Sequence, residues 1–518
     1  MAESNQTSQN SLLKLDGVVK YFPGVRANDG IDIEVNRGEV LALLGENGAG
    51  KTTLMRCLVG LYHLDAGHIY WKGEEVSIHS PAKASELGIG MVHQQFSLIP
   101  TFTVAESVAL GSYHNRKFKL DLDTTKKEIQ DLADSYGFYI HPDVRIDELS
   151  MGARQRVEIL KILYRNAELL VLDEPTSVLT PQEVQDLFRV VHQIVSKGRS
   201  VVFISHKLDE VMEISDRITV LRDGKVVGNL PVKEATPKKL STLMVGREVL
   251  FDFKKKELSK GEPVLQVNNI SVSNEGIAQL KNVTFQVSSG EILGIAGIAG
   301  NGQDKLVQTI AGLLKTDSGT ISIDDNDLTN TSPQRIKECG LSYMPADRRG
   351  TGLVLSMNIN ENFLLRDYNA PQFSNNGFIK HNAVQQFTND LIKSFNIRVA
   401  SQKVSVGTLS GGNQQKVVAA REISRDPKVL IAEQPTMGLD VSATEYVRSR
   451  LLEERDQGTA VLLVSTELNE VLSISDRVLV MFRGEIMGEI IPGQVSIETI
   501  GLLMAGQKLE SIKDEAEK

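Results

Sequence analysis

The segment Gly38-Glu-Val-Leu-Ala-Leu-Leu-Gly45 recurs as Gly290-Glu-Ile-Leu-Gly-Ile-Ala-Gly297, an offset of 290 − 38 = 252. Further along, Leu149-Ser150 recurs as Leu409-Ser410, Pro175-Thr176 as Pro435-Thr436, Asp216-Arg217 as Asp476-Arg477 and Leu243-Met244 as Leu503-Met504, all at an offset of 260. The second copy has therefore gained 260 − 252 = 8 residues in its middle. A repeat of this size constrains the fold before any motif is read: the 518 residues are expected to form two homologous domains of similar length. The first is expected over 12–248 and the second over 263–508. The linker between them, 249–262, mixes a Lys run with Gly, runs into Pro263 and breaks the hydrophobic periodicity.

Within each copy, apolar runs rich in Val, Ile and Leu alternate with helical patterns, as in strand 40–44 followed by helix 52–59 and strand 201–205 followed by helix 208–214. That alternation predicts an α/β fold with a mixed, largely parallel sheet. Lys and Arg total 57 against 66 Asp and Glu, a net charge of −9, which argues against a protein that coats nucleic acid phosphates. Cys57 and Cys339 are too few for a disulfide framework and fit a reducing compartment. Residues 1–11 lack the basic and apolar regions of a secretory signal and read as a frayed tail. No window approaches the ~18 uninterrupted apolar residues of a spanning helix. The chain is not expected to cross a bilayer by itself, although it could dock onto something that does.

Gly45-Glu46-Asn47-Gly48-Ala49-Gly50-Lys51-Thr52, followed by Thr53, fits G-x-x-x-x-G-K-[ST] between an apolar strand and a helix, the context the motif requires. Gly45, Gly48 and Gly50 allow a tight turn whose N–H groups face phosphate oxygens; Lys51 would reach the β and γ phosphates, and Thr52 would offer a hydroxyl to Mg²⁺. A second strand, Leu169-Leu-Val-Leu-Asp173-Glu174, ends in two carboxylates at the edge where a parallel sheet presents ligands. Asp173 suits Mg²⁺ coordination and Glu174 suits polarising an attacking water.

Between these elements lies Leu149-Ser150-Met-Gly152-Ala-Arg-Gln155, and with it the chain resembles the ATP-binding cassette (ABC) ATPases over 12–506, both copies. The resemblance implies two tandem P-loop ATPase domains, each with a helical subdomain carrying the signature. It implies ATP and Mg²⁺ as ligands, Gln94 in VHQQ as the Q-loop residue that touches the metal, and His206 in FISHKLDE as the switch histidine at the γ-phosphate. Phe22, or Tyr21 beside it, would stack on adenine.

The second copy departs from that pattern. The 252 offset puts Gln303 at the Lys51 position, Asp304 at Thr52 and Ala346 at Gln94, and Asn274 roughly replaces the stacking aromatic; the 260 offset puts Glu433 at Asp173, Gln434 at Glu174 and Thr466 at His206. The amide of Gln434 cannot act as a base, a role contributing roughly 10²–10⁴-fold. Gly297, Gly300 and Gly302 still allow a loop that holds a nucleotide weakly. The same copy nevertheless carries the better signature, Leu409-Ser410-Gly411-Gly412-Asn413-Gln414, and keeps Gly438-Leu439-Asp440 where the first has Val178-Leu179-Thr180. In the family, each ATP is held by one domain's Walker loops and the other domain's signature and D-loop. Every intact element, with Ser410, Gly411, Gly412, Gln414 and Asp440 from the second copy, is thereby implied to fall in one composite site. The two domains are expected to pair within the chain.

Short linker, degraded second copy and the lack of a sustained heptad run separate the chain from tandem ABC translation factors and from chromosome and repair ABC proteins. It is similar instead to importer ATPases for simple sugars and nucleosides. Phe22-Pro-Gly-Val-Arg-Ala-Asn-Asp29, His93-Gln-Gln-Phe96, Ser150-Met-Gly-Ala-Arg-Gln-Arg-Val-Glu158 and Gly300-Asn-Gly-Gln303 resemble the nucleoside branch, which works with basic-membrane-lipoprotein receptors. The partners so implied are two transmembrane permease subunits and, indirectly, an extracytoplasmic solute-binding lipoprotein, with no nucleic acid. The implied location is peripheral, on the cytoplasmic face of the membrane.

Overall fold

The computed structural model describes residues 10–94, 96–110, 122–176, 179, 181–248, 255–256, 261–274, 276–298 and 300–516. Most of the expected tail and linker, and Val178 and Thr180, lie outside them. Two compact units are formed, Met1–Val249 with Asp440–Ser442, and Leu250–Leu439 with Ala443–Lys518.

In the first unit, fully buried Val40–Leu44 is central to a six-stranded sheet. The order is Lys225–Pro231, Arg217–Arg222, Val40–Leu44, Ser200–Ser205, Leu169–Asp173, Ile89–Val92. All neighbours run parallel except the Lys225–Pro231 edge, which is antiparallel. Strands buried on both faces read as continuous apolar runs, which is why Val40–Leu44 and Leu169–Asp173 lack alternation. A second, four-stranded antiparallel sheet, ordered Val25–Asn36, Ser11–Phe22, Ala66–Trp71, Glu74–Val76, packs its Leu13, Leu15, Ile31 and Val35 with Leu41 and Leu43 into one core. A further core gathers the helices that carry the signature, including Val104, Ile129, Val157 and Leu160, against Leu170 and Leu172.

The second unit repeats this plan: Leu341–Met344, Val429–Glu433, Ala460–Val464, Ile292–Ala296, Arg477–Phe482, Glu485–Ile490 in the main sheet, and a four-stranded antiparallel sheet beginning with Pro263–Asn274 and Ile277–Ser288. The eight gained residues are spread out. Capping residues Thr103 and Asn358 differ by 358 − 103 = 255, the helices Leu122–Ser135 and His381–Ser394 by 381 − 122 = 259, and the turns Ile146–Glu148 and Val406–Thr408 by 406 − 146 = 260. Three residues thus enter around the π-helical turn Arg348–Gly352, four near the hairpin Ser374–Asn375/Phe378–Ile379, and one beyond it. Among the described residues, no helix is long and apolar enough to cross a membrane.

Candidate functional site

The loop after Val40–Leu44 turns through Gly48 and Gly50 at φ values of +86° and +99°, which L side chains rarely adopt, and delivers the chain into helix Lys51–Leu58. At Gly50 there is also no room: a Cβ there would lie 2.2 Å from Ala27 O and 2.7 Å from Asn28 Nδ2. The Asn28 amide donates to Gly50 O at 3.1 Å from a fully buried position, so the loop rests on the preceding sheet. Lys51 curls over the loop and donates to Gly45 O at 2.7 Å and Glu46 O at 2.9 Å. Burial draws the Lys51 ammonium below its ordinary range, opposed by Glu174 and Asp173. A cation held by two loop carbonyls, beside a helix N-terminus and largely out of water, is what a phosphate chain requires.

Asp173 closes its strand almost entirely buried, and Thr52 Oγ1 donates to its Oδ1 at 3.3 Å. Burial pushes the Asp173 carboxyl up despite that bond. A hard divalent cation between Thr52 and Asp173 would relieve this penalty, so the pair fits Mg²⁺. Among the described residues, no group of three or more His, Cys, Asp or Glu could hold a metal, and a Mg²⁺ completed by substrate phosphates needs none.

Glu174 follows at φ +47°, a left-handed conformation costing a non-glycine about 1–3 kcal/mol. The turn is held by Glu174 N donating to Ile204 O at 3.0 Å. It sends the side chain between two partners: Gln94 Nε2 donates to Oε2 at 3.0 Å, and His206 Nδ1 lies 3.0 Å from Oε1. Burial alone would raise this carboxyl, but the His206 contact, with Lys51 and Lys207 adding to it, holds it below the ordinary glutamate range. Glu174 is thus an ionised acceptor aimed and restrained from both sides. Beneath it, Thr176 Oγ1 and Ser205 Oγ both donate to Glu210, at 2.6 and 3.1 Å, tying the strand ends that carry Glu174 and His206.

Sequence reasoning missed Asn28 and Glu210. Asn28 was signalled by its counterpart at the 252 offset, Leu280, since a polar residue opposite an apolar one inside a repeat asks for a reason. Phe22 lies at the tip of the Ser11–Phe22 strand, 37% exposed, edge-on to Tyr62 at 5.4 Å with Lys20 Nζ 5.6 Å from its ring centre. Tyr21 is also exposed and lies under the Arg26 guanidinium.

In the second unit the backbone turns are kept and the side chains differ. Gly300 and Gly302 turn at +88° and +102°, and Gln434 sits at +46° with its N donating to Val464 O. Gln303 Nε2 donates to Ile298 O at 3.2 Å, a neutral echo of Lys51. Glu433, at the Asp173 position, accepts from Tyr343 Oη at 2.5 Å and Ala346 N at 3.3 Å, both at Oε2, so protein donors occupy one of its two oxygens. Asp304 offers a carboxylate, paired with Lys305, where Thr52 offers a hydroxyl. Thr466 donates to the Gln434 oxygen through its N and Oγ1, each at 3.2 Å.

The family model for "ABC transporter" matches residues 28–177 and 280–437, one stretch in each copy and together more than half of the chain. The chain belongs to the ABC transporter family. It is one of that family's ATP-hydrolysing subunits, built as a tandem repeat. Nucleoside import ATP-binding protein NupA of Lactococcus lactis is 44% identical over 96% of this chain and 99% of its own length. Guanosine import ATP-binding protein NupO of Bacillus subtilis is 45% identical over 96% and 97%. Ribose import ATP-binding protein RbsA of Clostridium tetani is 39% identical over 95% and 97%. Among solved structures, archaeal ribosome recycling factor aABCE1, in complex with stalk protein aP1, matches 90% of this chain and 87% of its own at 20% identity and a TM-score of 0.58, a likeness of fold alone.

Proposed function

We propose that this ABC ATPase drives import of nucleosides with a single hydrolytic site, built on the Walker loops of the first copy. The observation that carries the single-site reading is the Gln94–Glu174–His206 contact, two approaches of 3.0 Å to one ionised carboxylate, against Ala346, Gln434 and Thr466 in the repeat. In that site Lys51 and the N–H groups of residues 45–53 bind the phosphates of ATP, the substrate. Glu174 accepts from and orients the attacking water, His206 faces the γ-phosphate, and Gln94 reports on both. Mg²⁺, held by Thr52 and Asp173 with Gln94 beside them, would supply charge neutralisation at the phosphates. Phe22 or Tyr21 carries the adenine. Ser410, Gly411, Gly412, Gln414 and Asp440 belong to the same site on the strength of the sequence pattern, which keeps them intact where the first copy is altered.

The nucleoside cargo rests on relatives: NupA and NupO are 44% and 45% identical, the ribose relative 39% and a glucose import relative of Haloferax volcanii 42%. The ATPase then serves two permease subunits at the cytoplasmic face of the membrane, fed by a solute-binding lipoprotein. A deletion strain tests the cargo. It should lose uptake of labelled nucleosides and resist toxic nucleoside analogues while growing normally on ribose, galactose and xylose. Loss of growth on one sugar with normal nucleoside uptake would move the chain to the sugar branch.

A further inference from the structure

The two signature segments begin alike and are covered differently. Ser150 and Ser410 each cap a helix, Met151–Tyr164 and Gly411–Ile423, accepting from Ala153 N at 3.2 Å and Asn413 N at 3.4 Å. In the first copy, Glu183 on helix Pro181–Ser196 sets its Oε1 3.1 Å from Gly152 N and 3.2 Å from Ser150 Oγ, both donating to it. The fit is close: a Cβ on Gly152 would lie 2.5 Å from that oxygen. In the second copy, 183 + 260 = 443 gives Ala443, whose methyl accepts no hydrogen bond and would meet a Cβ on Gly412 at 3.1 Å. The charge beside the second cap is of opposite sign. Arg348 Nη2 lies 3.0 Å from where a Cβ on Gly411 would stand, and its Nη1 donates to Met437 O at 2.8 Å. The 252 offset puts Phe96 at that position in the first copy.

A helix N-terminus draws one anion to its exposed N–H groups. In the first copy the Gly152 N–H and the Ser150 hydroxyl, donors a phosphate oxygen would use, already serve a carboxylate of the same chain. A phosphate brought there would have to displace Glu183 or face it as a like charge. We propose that Glu183 is a built-in anion that closes the first signature to nucleotide phosphate, and that Ala443 leaves the second one open. The asymmetry of the two copies then lies in their signatures as well as in their Walker loops. This rests on the reading above that the second signature serves hydrolysis.

The test transplants the carboxylate, in the transporter assembled with its permeases in liposomes. Ala443→Glu should lower kcat at least about tenfold, as loss of phosphate donors does, while the affinity of the free chain for a fluorescent ATP analogue stays unchanged. Ala443→Gln, of the same size without the charge, should stay within about threefold of wild type, and Glu183→Ala within about twofold. Ser410→Arg separates the two ideas. If it abolishes turnover while Ala443→Glu does not, a carboxylate there does not close a signature, and the proposal falls while the single-site reading stands. If neither variant loses turnover, the reading falls and takes the proposal with it. Equal loss in Ala443→Glu and Ala443→Gln would make size the cause, and a tenfold loss in Glu183→Ala would give Glu183 a part in turnover; either result overturns the proposal.

Discussion

At the scale of single residues, Glu174 and Gln434 separate what the backbone does from what the side chain does. Both hold the same left-handed turn, at +47° and +46°, and both are anchored through their N–H to the neighbouring strand. One ends in a carboxylate held ionised by His206, the other in an amide. Glu174→Gln should therefore fold like the wild type, bind ATP, and lose roughly 10²–10⁴-fold in turnover, with nucleotide retained on the transporter. Steady-state ATPase assays with retained-nucleotide measurements check this. Asn28 acts through Gly50. Asn28→Ala removes one of the two hydrogen bonds on Gly50 O, the other coming from Leu54 N at 2.9 Å, so the first unit should lose about 0.5–1.5 kcal/mol of stability, read by denaturant melts. The Walker residues were legible in the sequence because the motif is local. The strain at Glu174 was not, since no neighbouring residue signals a positive φ at a glutamate.

At the scale of elements, the repeated dipeptides turn out to be fasteners. Asp216 and Asp476 accept from the first N–H of the central strands, Val40 N at 2.8 Å and Ile292 N at 2.9 Å. Arg217 and Arg477 pair with Glu39 and Glu291 at 2.7 and 2.6 Å. The sequence displayed these pairs as repeats but not their partners, which lie more than 170 residues away along the chain. The alternation of strand and helix was legible for a different reason: apolar runs and capping residues are local. The same comparison covers the network beneath the site, where Thr176 and Ser205 donate to Glu210, and Thr436 donates to Glu470 at 2.7 Å. Glu210→Ala strands two buried hydroxyls and should cost the first unit about 1–3 kcal/mol. Because it loosens the strand ends bearing Glu174 and His206, it should also lower kcat with little change in KM. Glu470→Ala should destabilise the second unit comparably and lower kcat less than Glu210→Ala does, because the strand ends it ties carry Gln434 and Thr466 in place of Glu174 and His206. Melts paired with kinetics separate the two variants.

At the scale of the whole molecule, one fold has been used twice, and the single-site reading places the Walker contacts to the phosphates in one copy. A ligand that binds only the folded state stabilises it by RT ln(1 + [L]/Kd), about 2.7 kcal/mol at a hundredfold excess over Kd. In the first unit that free energy would fall on the loop that Lys51 closes and on the strand ends around Asp173 and Glu174. In the second unit Gln303 brings no charge, Asp304 adds a carboxylate, and Tyr343 and Ala346 already donate to one oxygen of Glu433. The second cradle therefore has little to gain from a phosphate chain, although its glycine turns are intact. This difference was legible only in comparison: a degraded motif carries meaning beside its intact copy. Amide hydrogen exchange on Glu174→Gln with Mg-ATP, which removes hydrolysis from the measurement, should show slowed exchange across residues 40–58 and 169–206. Exchange across 292–310 and 460–466, which hold none of the residues assigned to the hydrolytic site, should stay at its nucleotide-free rate. Equal protection of both sets would mean that the second loop binds ATP as firmly as the first, and that Lys51 is not what separates them.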